Sequence, residues 1–189
     1  QIQDVADAIR FVEQHAADWG ADGSKIVPWG TSAGGNLVMS VAYKYNFPSV
    51  KGVISLYGVP ELREEHVLGH VAGHWSWAEV YSYLFVQSTR HLCARVDFDS
   101  TCFEDMSPAK HVQASELVSV PTLFIHGESD PLVFIHQVDA LAQDLKAKEG
   151  KHVVVRAFGS HDCDVHVSSP CAQATMYSVD RFVRYVIRD

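Results

Sequence analysis

The sequence has no apolar run long enough to cross a bilayer as a helix, so a membrane-spanning helix is excluded. It has no basic excess either. Fifteen Lys and Arg stand against 23 Asp and Glu, a formal net charge of -8 at pH 7. That balance argues against a nucleic-acid partner and against an anionic membrane surface. Eleven histidines soften it at acid pH. There are no repeats and no low-complexity linkers, so the 189 residues are expected to form one domain around one core. There is no signal-peptide pattern, and the chain starts at Gln1 rather than Met. The expectation is a mature product or a fragment. No H-E-x-x-H is present, and no metal or organic cofactor is expected. His66, His70 and His74 share a spacing that suits metal ligands, but Gly69 and Gly73 between them weaken a helix. A solvated or cap-lining histidine face is the expected reading. Cysteine is scarce: Cys93, Cys102, Cys163 and Cys171 fall into two close pairs. Two local disulfides in a secreted protein and four free thiols in the cytoplasm both remain open.

What is present centres on Trp29-Gly30-Thr31-Ser32-Ala33-Gly34-Gly35. It reads G-x-S-x-G. The run Lys25 to Trp29 before it has strand character, and Asn36 to Tyr43 after it has helical spacing. Strand, sharp turn and helix form the context of a nucleophile elbow. Gly30 and Gly34 are expected to permit a strained turn that side chains would block. Ser32 then stands at the tip, and the N–H groups of the next helix point where negative charge would develop.

The rest of the chain alternates strands and helices. Ile2, Val5, Ile9, Val12 and Ala16 predict an amphipathic helix to about Asp18. The helix after the elbow ends near Tyr45, with Pro48 closing it. Val50 to Tyr57 reads as a buried parallel strand. Residues 61–117 show no strand alternation and many aromatics, and are read as a helical insertion. Within it Trp75, Trp77 and Tyr81 form either a cap over a substrate pocket or a small core. Pro121 to Gly127 and His152 to Phe158 are two further strands, with a helix over Ile135 to Leu145 between them that stops at Gly150. Ser169-Pro170 opens a last helix whose buried face is Met176, Val179, Phe182, Val183 and Val186.

A serine hydroxyl needs a base within hydrogen-bond reach, and the base needs an orienting acid. In parallel α/β sheets such groups gather at the carboxyl ends of strands. Ser32, Asp130 and His161 each follow a strand, in the chain order of α/β-hydrolases. Each has a rival. Asp130 precedes Pro131 and suits a cap of the next helix, Glu128 is a second acid, and His166 is a second base. His126 is read as structural, and Asp162 and Asp164 as tuning the charge of His161.

On these residues the chain resembles the serine esterases of the α/β-hydrolase superfamily, in the hormone-sensitive-lipase-like and acetyl or feruloyl esterase branch. The resemblance also takes in Asp4 and Ala8, Ala21-Asp22, Ser107-Pro108, His126-Gly127-Glu128-Ser129-Asp130 with Val133, and Gly159-Ser160-His161. It implies the last four strands of a parallel sheet with flanking helices. It implies Ser32 as nucleophile, His161 as base, Asp130 as orienting acid and the N–H of Ala33 as an oxyanion donor. That family carries further strands and a His-Gly-Gly-Gly loop before the elbow. Nothing here matches that loop. The domain is therefore expected to be incomplete at its N-terminus, with a preceding segment or second chain completing the sheet. The expected activity is hydrolysis of a small carboxylic ester through an acyl-enzyme. Amide or peptide hydrolysis by the same residues is one alternative, and a truncated, inactive binding module is another.

Overall fold

Four short apolar runs become four parallel strands. The computed structural model describes residues 1–62 and 101–188. Trp75, Trp77, Tyr81, the His66–His70–His74 spacing and Cys93, with its pairing to Cys102, lie outside those residues. The strands are β1 (Trp29–Thr31), β2 (Val53–Leu56), β3 (Thr122–Gly127) and β4 (His152–Ala157), in that spatial order. Every residue of β2 and β3 is buried, as central strands covered on both faces require.

Side chains alternate across the sheet with period two. Val53 and Phe124 face one side, against Ala6 and Ile9 of α1 (Ile2–His15), Met39 and Val41 of α2 (Ala33–Tyr45), and Val138 and Leu141 of helix Ile135–Ala147. Ile54, Leu56, Leu123 and Ile125 face the other side, against Val179 and Phe182 of helix Pro170–Val186. Two short helices, α3 (Thr101–Asp105) and α4 (Pro108–Ala114), precede β3. The two long helices are then α5 (Ile135–Ala147) and α6 (Pro170–Val186). The described part of 61–117 contains helices and no strand, and Leu62 N donates to Ser107 Oγ at 3.0 Å.

Several boundaries differ from the sequence reading. The elbow strand is Trp29–Thr31 rather than Lys25 to Trp29, and β2 is shorter than Val50 to Tyr57. Pro28 has no N–H to give a ladder. Pairing therefore breaks into a bridge, Ile26 with Val50, and resumes one residue out of step at Trp29 with Ile54. The first helix ends at His15 and tightens into a 3-10 turn over Ala16–Trp19, closed by Gly20 at φ 71. The helix after the elbow is closed by Asn46 in the left-handed region rather than by Pro48. Ser169 caps α6 as expected, its Oγ accepting from Ala172 N at 3.0 Å. Met176 is a correction: it is 62% exposed. The inward stripe runs Ala172, Thr175, Val179, Phe182. Met176 lies one residue, about 100°, round the helix from it.

Candidate active site

The elbow is built where β1 runs out. Ser32 N still donates to Leu56 O at 2.9 Å, so the sheet holds the chain up to that point. Ser32 then takes φ 50 and ψ -119, and α2 begins at the next residue. A non-glycine residue in that region is strained, and the surrounding structure must hold it there. Gly30 makes the turn possible, because a Cβ on it would run into the carbonyl of Gly34. Gly34 differs from the sequence reading: beyond its chain neighbours and its own helix backbone, no atom lies within 4 Å of a Cβ placed there. The second crowded position is Gly35, whose Cβ would stand 2.8 Å from both Gly58 Cα and Ser55 Oγ. Gly30→Ala is expected to destabilise the fold by about 2–3 kcal/mol, as overpacking does, while Gly34→Ala leaves stability nearly unchanged. Urea unfolding of the two variants measures the contrast.

The candidate acid comes from the turn after β3. Asp130 is buried, and its two oxygens do different work. Oδ1 accepts from Leu132 N at 2.8 Å and Val133 N at 3.0 Å, which shapes the turn ahead of α5. Oδ2 accepts from His161 Nδ1 at 2.7 Å and lies 3.3 Å from His126 Nε2. The helix-side capping role and the orienting role thus coexist on one carboxylate. Burial pushes this carboxyl up, but hydrogen bonds from His126, His161, Val133 and Leu132 outweigh it and hold the group well below the usual carboxylate range. Glu128, its rival, is exposed.

The candidate base comes from the loop after β4. His161 Nε2 lies 3.0 Å from Ser32 Oγ, and the side chain is 11% exposed. Asp130, as an anion, can only accept. Nδ1 therefore carries the proton, and Nε2 presents its lone pair to the serine hydroxyl. His166 is exposed. Ser32, His161 and Asp130 form one hydrogen-bonded line, a geometry through which a hydroxyl proton can pass from Ser32 Oγ to His161 Nε2.

Three further features surround this line; the sequence reads His126 as structural and leaves the Cys163–Cys171 pairing open. His126 is 1% exposed, and its Nε2 is 2.7 Å from Val133 O as well as near Asp130. It braces the acid and the turn together. Its only sequence signal is the four-residue spacing to Asp130. Asp164 accepts from Tyr57 Oη at 2.9 Å, rather than simply tuning charge. Cys163 and Cys171 form a disulfide, which staples the His161 loop to the first turn of α6. Ser169 Oγ donates to Cys163 O at 3.0 Å beside it. Cys163→Ser is expected to lower stability by about 2–3 kcal/mol, the scale for closing a short loop, and to reduce turnover by loosening His161. Thermal melts and kcat of the variant, beside the wild type with and without dithiothreitol, check both effects.

At the start of α2, the N–H groups of Ala33 and Gly34 precede the first intrahelical bond, from Asn36 N to Ser32 O at 3.1 Å. They belong to the end of the helix dipole that favours negative charge. Among the described residues no group of three or more His, Cys, Asp or Glu is placed to hold a metal ion. Among them, too, no helix is long and apolar enough to cross a membrane.

Known proteins share this architecture. A Thermogutta terrifontis esterase solved with butyrate bound superposes with a TM-score of 0.70 at 23% identity, covering 98% of this chain and 65% of that one. Carboxyl esterase 2 of Tuber melanosporum gives a TM-score of 0.70 at 20% identity, over 96% of this chain and 60% of that one. The acylaminoacyl peptidase of Pyrococcus horikoshii gives 0.70 at 18% identity, over 97% of this chain and 27% of that one. The chain thus spans less than two thirds of the length of these neighbours. No curated protein matches it. The neighbours establish an α/β-hydrolase fold. The BD-FAE family model matches residues 1–145, which takes in Ser32 and Asp130 and stops before His161. The chain is a member of the BD-FAE family.

Proposed function

We propose that the protein hydrolyses carboxylic esters through an acyl-enzyme on Ser32. The observation that carries this is the unbroken line of contacts, 3.0 Å from Ser32 Oγ to His161 Nε2 and 2.7 Å from His161 Nδ1 to Asp130. His161 takes the hydroxyl proton as Oγ attacks the ester carbonyl. The oxygen of the carbonyl gains negative charge, and the N–H of Ala33 meets it at the start of α2. His161, now an imidazolium steadied by Asp130, gives its proton to the leaving alcohol. It then takes a proton from the water that attacks the acyl-serine, and returns that proton to Ser32 Oγ as the acid leaves. The chemistry needs no metal or organic cofactor.

The second oxyanion donor comes from outside the described residues, on a segment or chain that pairs with the free edge of β1. Two features support this. β1 is the end strand of the described sheet, and Trp29 beside Gly30 is 47% exposed. An apolar edge of that kind seeks a partner strand. Lacking one oxyanion donor lowers turnover about a hundred- to thousandfold, so activity is sensitive to that pairing. We propose residues 61–117 as the cap insertion, with Ala109 and Val112 of α4 anchoring its end in the core beside α2 and α5.

The test is turnover of p-nitrophenyl acetate and butyrate against an acetylamino-acid p-nitroanilide, with fluorophosphonate labelling in parallel. Ester turnover well above anilide turnover, with label on Ser32, is the expected result. Preference for the anilide moves the protein to the peptidases, whose fold it shares with the Pyrococcus neighbour. Failure of an accessible Ser32 to label makes it a binding module.

A further inference from the structure

We infer that Tyr57 is a positioning residue for His161, acting through Asp164. The inference rests on the reading of His161 as the base. Tyr57 follows β2, and its ring centroid lies 4.7 Å from that of His161 with the planes 59° apart. The residue is 4% exposed. Its hydroxyl donates to Asp164 Oδ1 at 2.9 Å, across 107 residues of sequence. Asp164 sits three residues beyond His161 on the same disulfide-stapled loop.

The geometry meets a need that Asp130 leaves open. The hydrogen bond at Nδ1 follows small rotations about the Cα–Cβ and Cβ–Cγ bonds of His161, so it does not by itself fix where the far nitrogen of the ring sits. Such a rotation carries Nε2 off Ser32 Oγ. A ring packed against the imidazole blocks it, and the tie to Asp164 makes the ring and the His161 loop move as one body. The same tilted contact places the electron-rich ring system of Tyr57 beside the imidazolium that forms during turnover. Burial, and then the bond to Asp164, push the Tyr57 hydroxyl above its ordinary range, so it stays a donor at neutral pH.

The backbone adds a second sign. Tyr57 holds φ 39, where a bulky side chain is an outlier. Its N–H donates to Ile125 O at 2.8 Å, which clamps the residue in that conformation. Strain of this kind persists where the surrounding structure over-determines it, and such positions cluster at functional sites.

The experiment compares Tyr57→Phe, Asp164→Ala, the double variant and Tyr57→Leu in the full-length protein. It reads kcat and KM for p-nitrophenyl acetate, and the low-field proton resonance of His161 Nδ1. Tyr57→Phe and Asp164→Ala are each expected to lower kcat about fivefold with KM within about twofold, and the double variant no further, because the two side chains act as one unit. Tyr57→Leu is expected to lower kcat about fiftyfold, on the scale of a misplaced catalytic group, and to broaden the Nδ1 proton by faster exchange. An effect on KM alone would make Tyr57 a wall of the substrate site and overturn the inference. So would losses that multiply in the double variant, or a folded Tyr57→Leu protein with wild-type kcat and an unchanged Nδ1 signal. If Tyr57→Leu does not fold, the Phe and Ala variants decide. A wild type without esterase activity sinks the proposed function, and the Nδ1 signal still decides this inference.

Discussion

Replacing Ser32 with alanine is expected to remove ester hydrolysis almost completely, with kcat down by about 10⁴–10⁶-fold. Oγ is the only atom of the Ser32–His161–Asp130 line placed to bond with a carbonyl carbon, and alanine has nothing in its place. The fold survives the change. Alanine carries the same Cβ as serine, so the strain at φ 50 is the same, and Gly30 keeps its close approach to Gly34. The loss of one hydrogen bond to His161 changes stability by about 1 kcal/mol. A thermal melt close to wild type, with fluorophosphonate labelling gone and steady-state turnover at background, is the full expected pattern. Residual turnover above about a hundredth of wild type, against the much larger loss expected when a nucleophile is removed, would mean that another group attacks the ester.

Asp130→Asn is expected to lower kcat by about 10⁴-fold, the scale seen when an orienting acid becomes an amide. The reason is a reversed hydrogen bond. Asp130 Oδ2 accepts from His161 Nδ1 at 2.7 Å. An amide turned to keep its oxygen on Leu132 and Val133 presents NH₂ to His161 instead. Nδ1 must then accept, the proton moves to Nε2, and the lone pair facing Ser32 is lost. The turn keeps its shape, because Leu132 N and Val133 N retain an acceptor. Asp130→Ala removes both functions and is expected to be the less stable of the two.

The same carboxylate sets a pH dependence. Its folded-state pKa lies below the ordinary 3.8, through hydrogen bonds from His126, His161, Val133 and Leu132 that outweigh burial. The stability this provides is therefore fully present above the unfolded-state value and is lost as pH falls through the acid range. The amide in the Asp130→Asn variant takes up no proton over that range. The wild type is expected to lose more stability than Asp130→Asn between about pH 6 and about pH 3, the span in which an unfolded-state carboxyl titrates, so the gap between their urea midpoints narrows in acid. A gap that stays constant would show that this carboxylate is not held in its charged form by folding.

Much of the site was legible in the residue order because its signals are local. A G-x-S-x-G run between a strand and a helix demands a tight turn, and the turn puts Ser32 at its tip whatever surrounds it. Ser169-Pro170 opens a helix for reasons contained in those two residues. Apolar runs with glycine or proline at their ends placed β3 and β4 to within a residue. The boundaries that moved were those where one residue acts against its neighbours. Pro28 lacks an N–H and delays β1, and the inward stripe of α6 passes through Thr175 instead of Met176.

Residue order alone determined the parallel α/β arrangement, the elbow serine and the acid and histidine candidates at strand ends. These depend on backbone geometry and hydrophobic period, which act over a few residues. Only the tertiary structure put Asp130 and His161, rather than the exposed Glu128 and His166, into one line of hydrogen bonds with Ser32. It alone brought His126 to Asp130 and Asp164 to Tyr57, it decided for the Cys163–Cys171 disulfide that the spacing had left open, and it moved the steric demand from Gly34 to Gly35. Each of these depends on which surfaces meet when helices close over the sheet, and partners as far apart as residues 57 and 164 leave no shared mark in the local sequence.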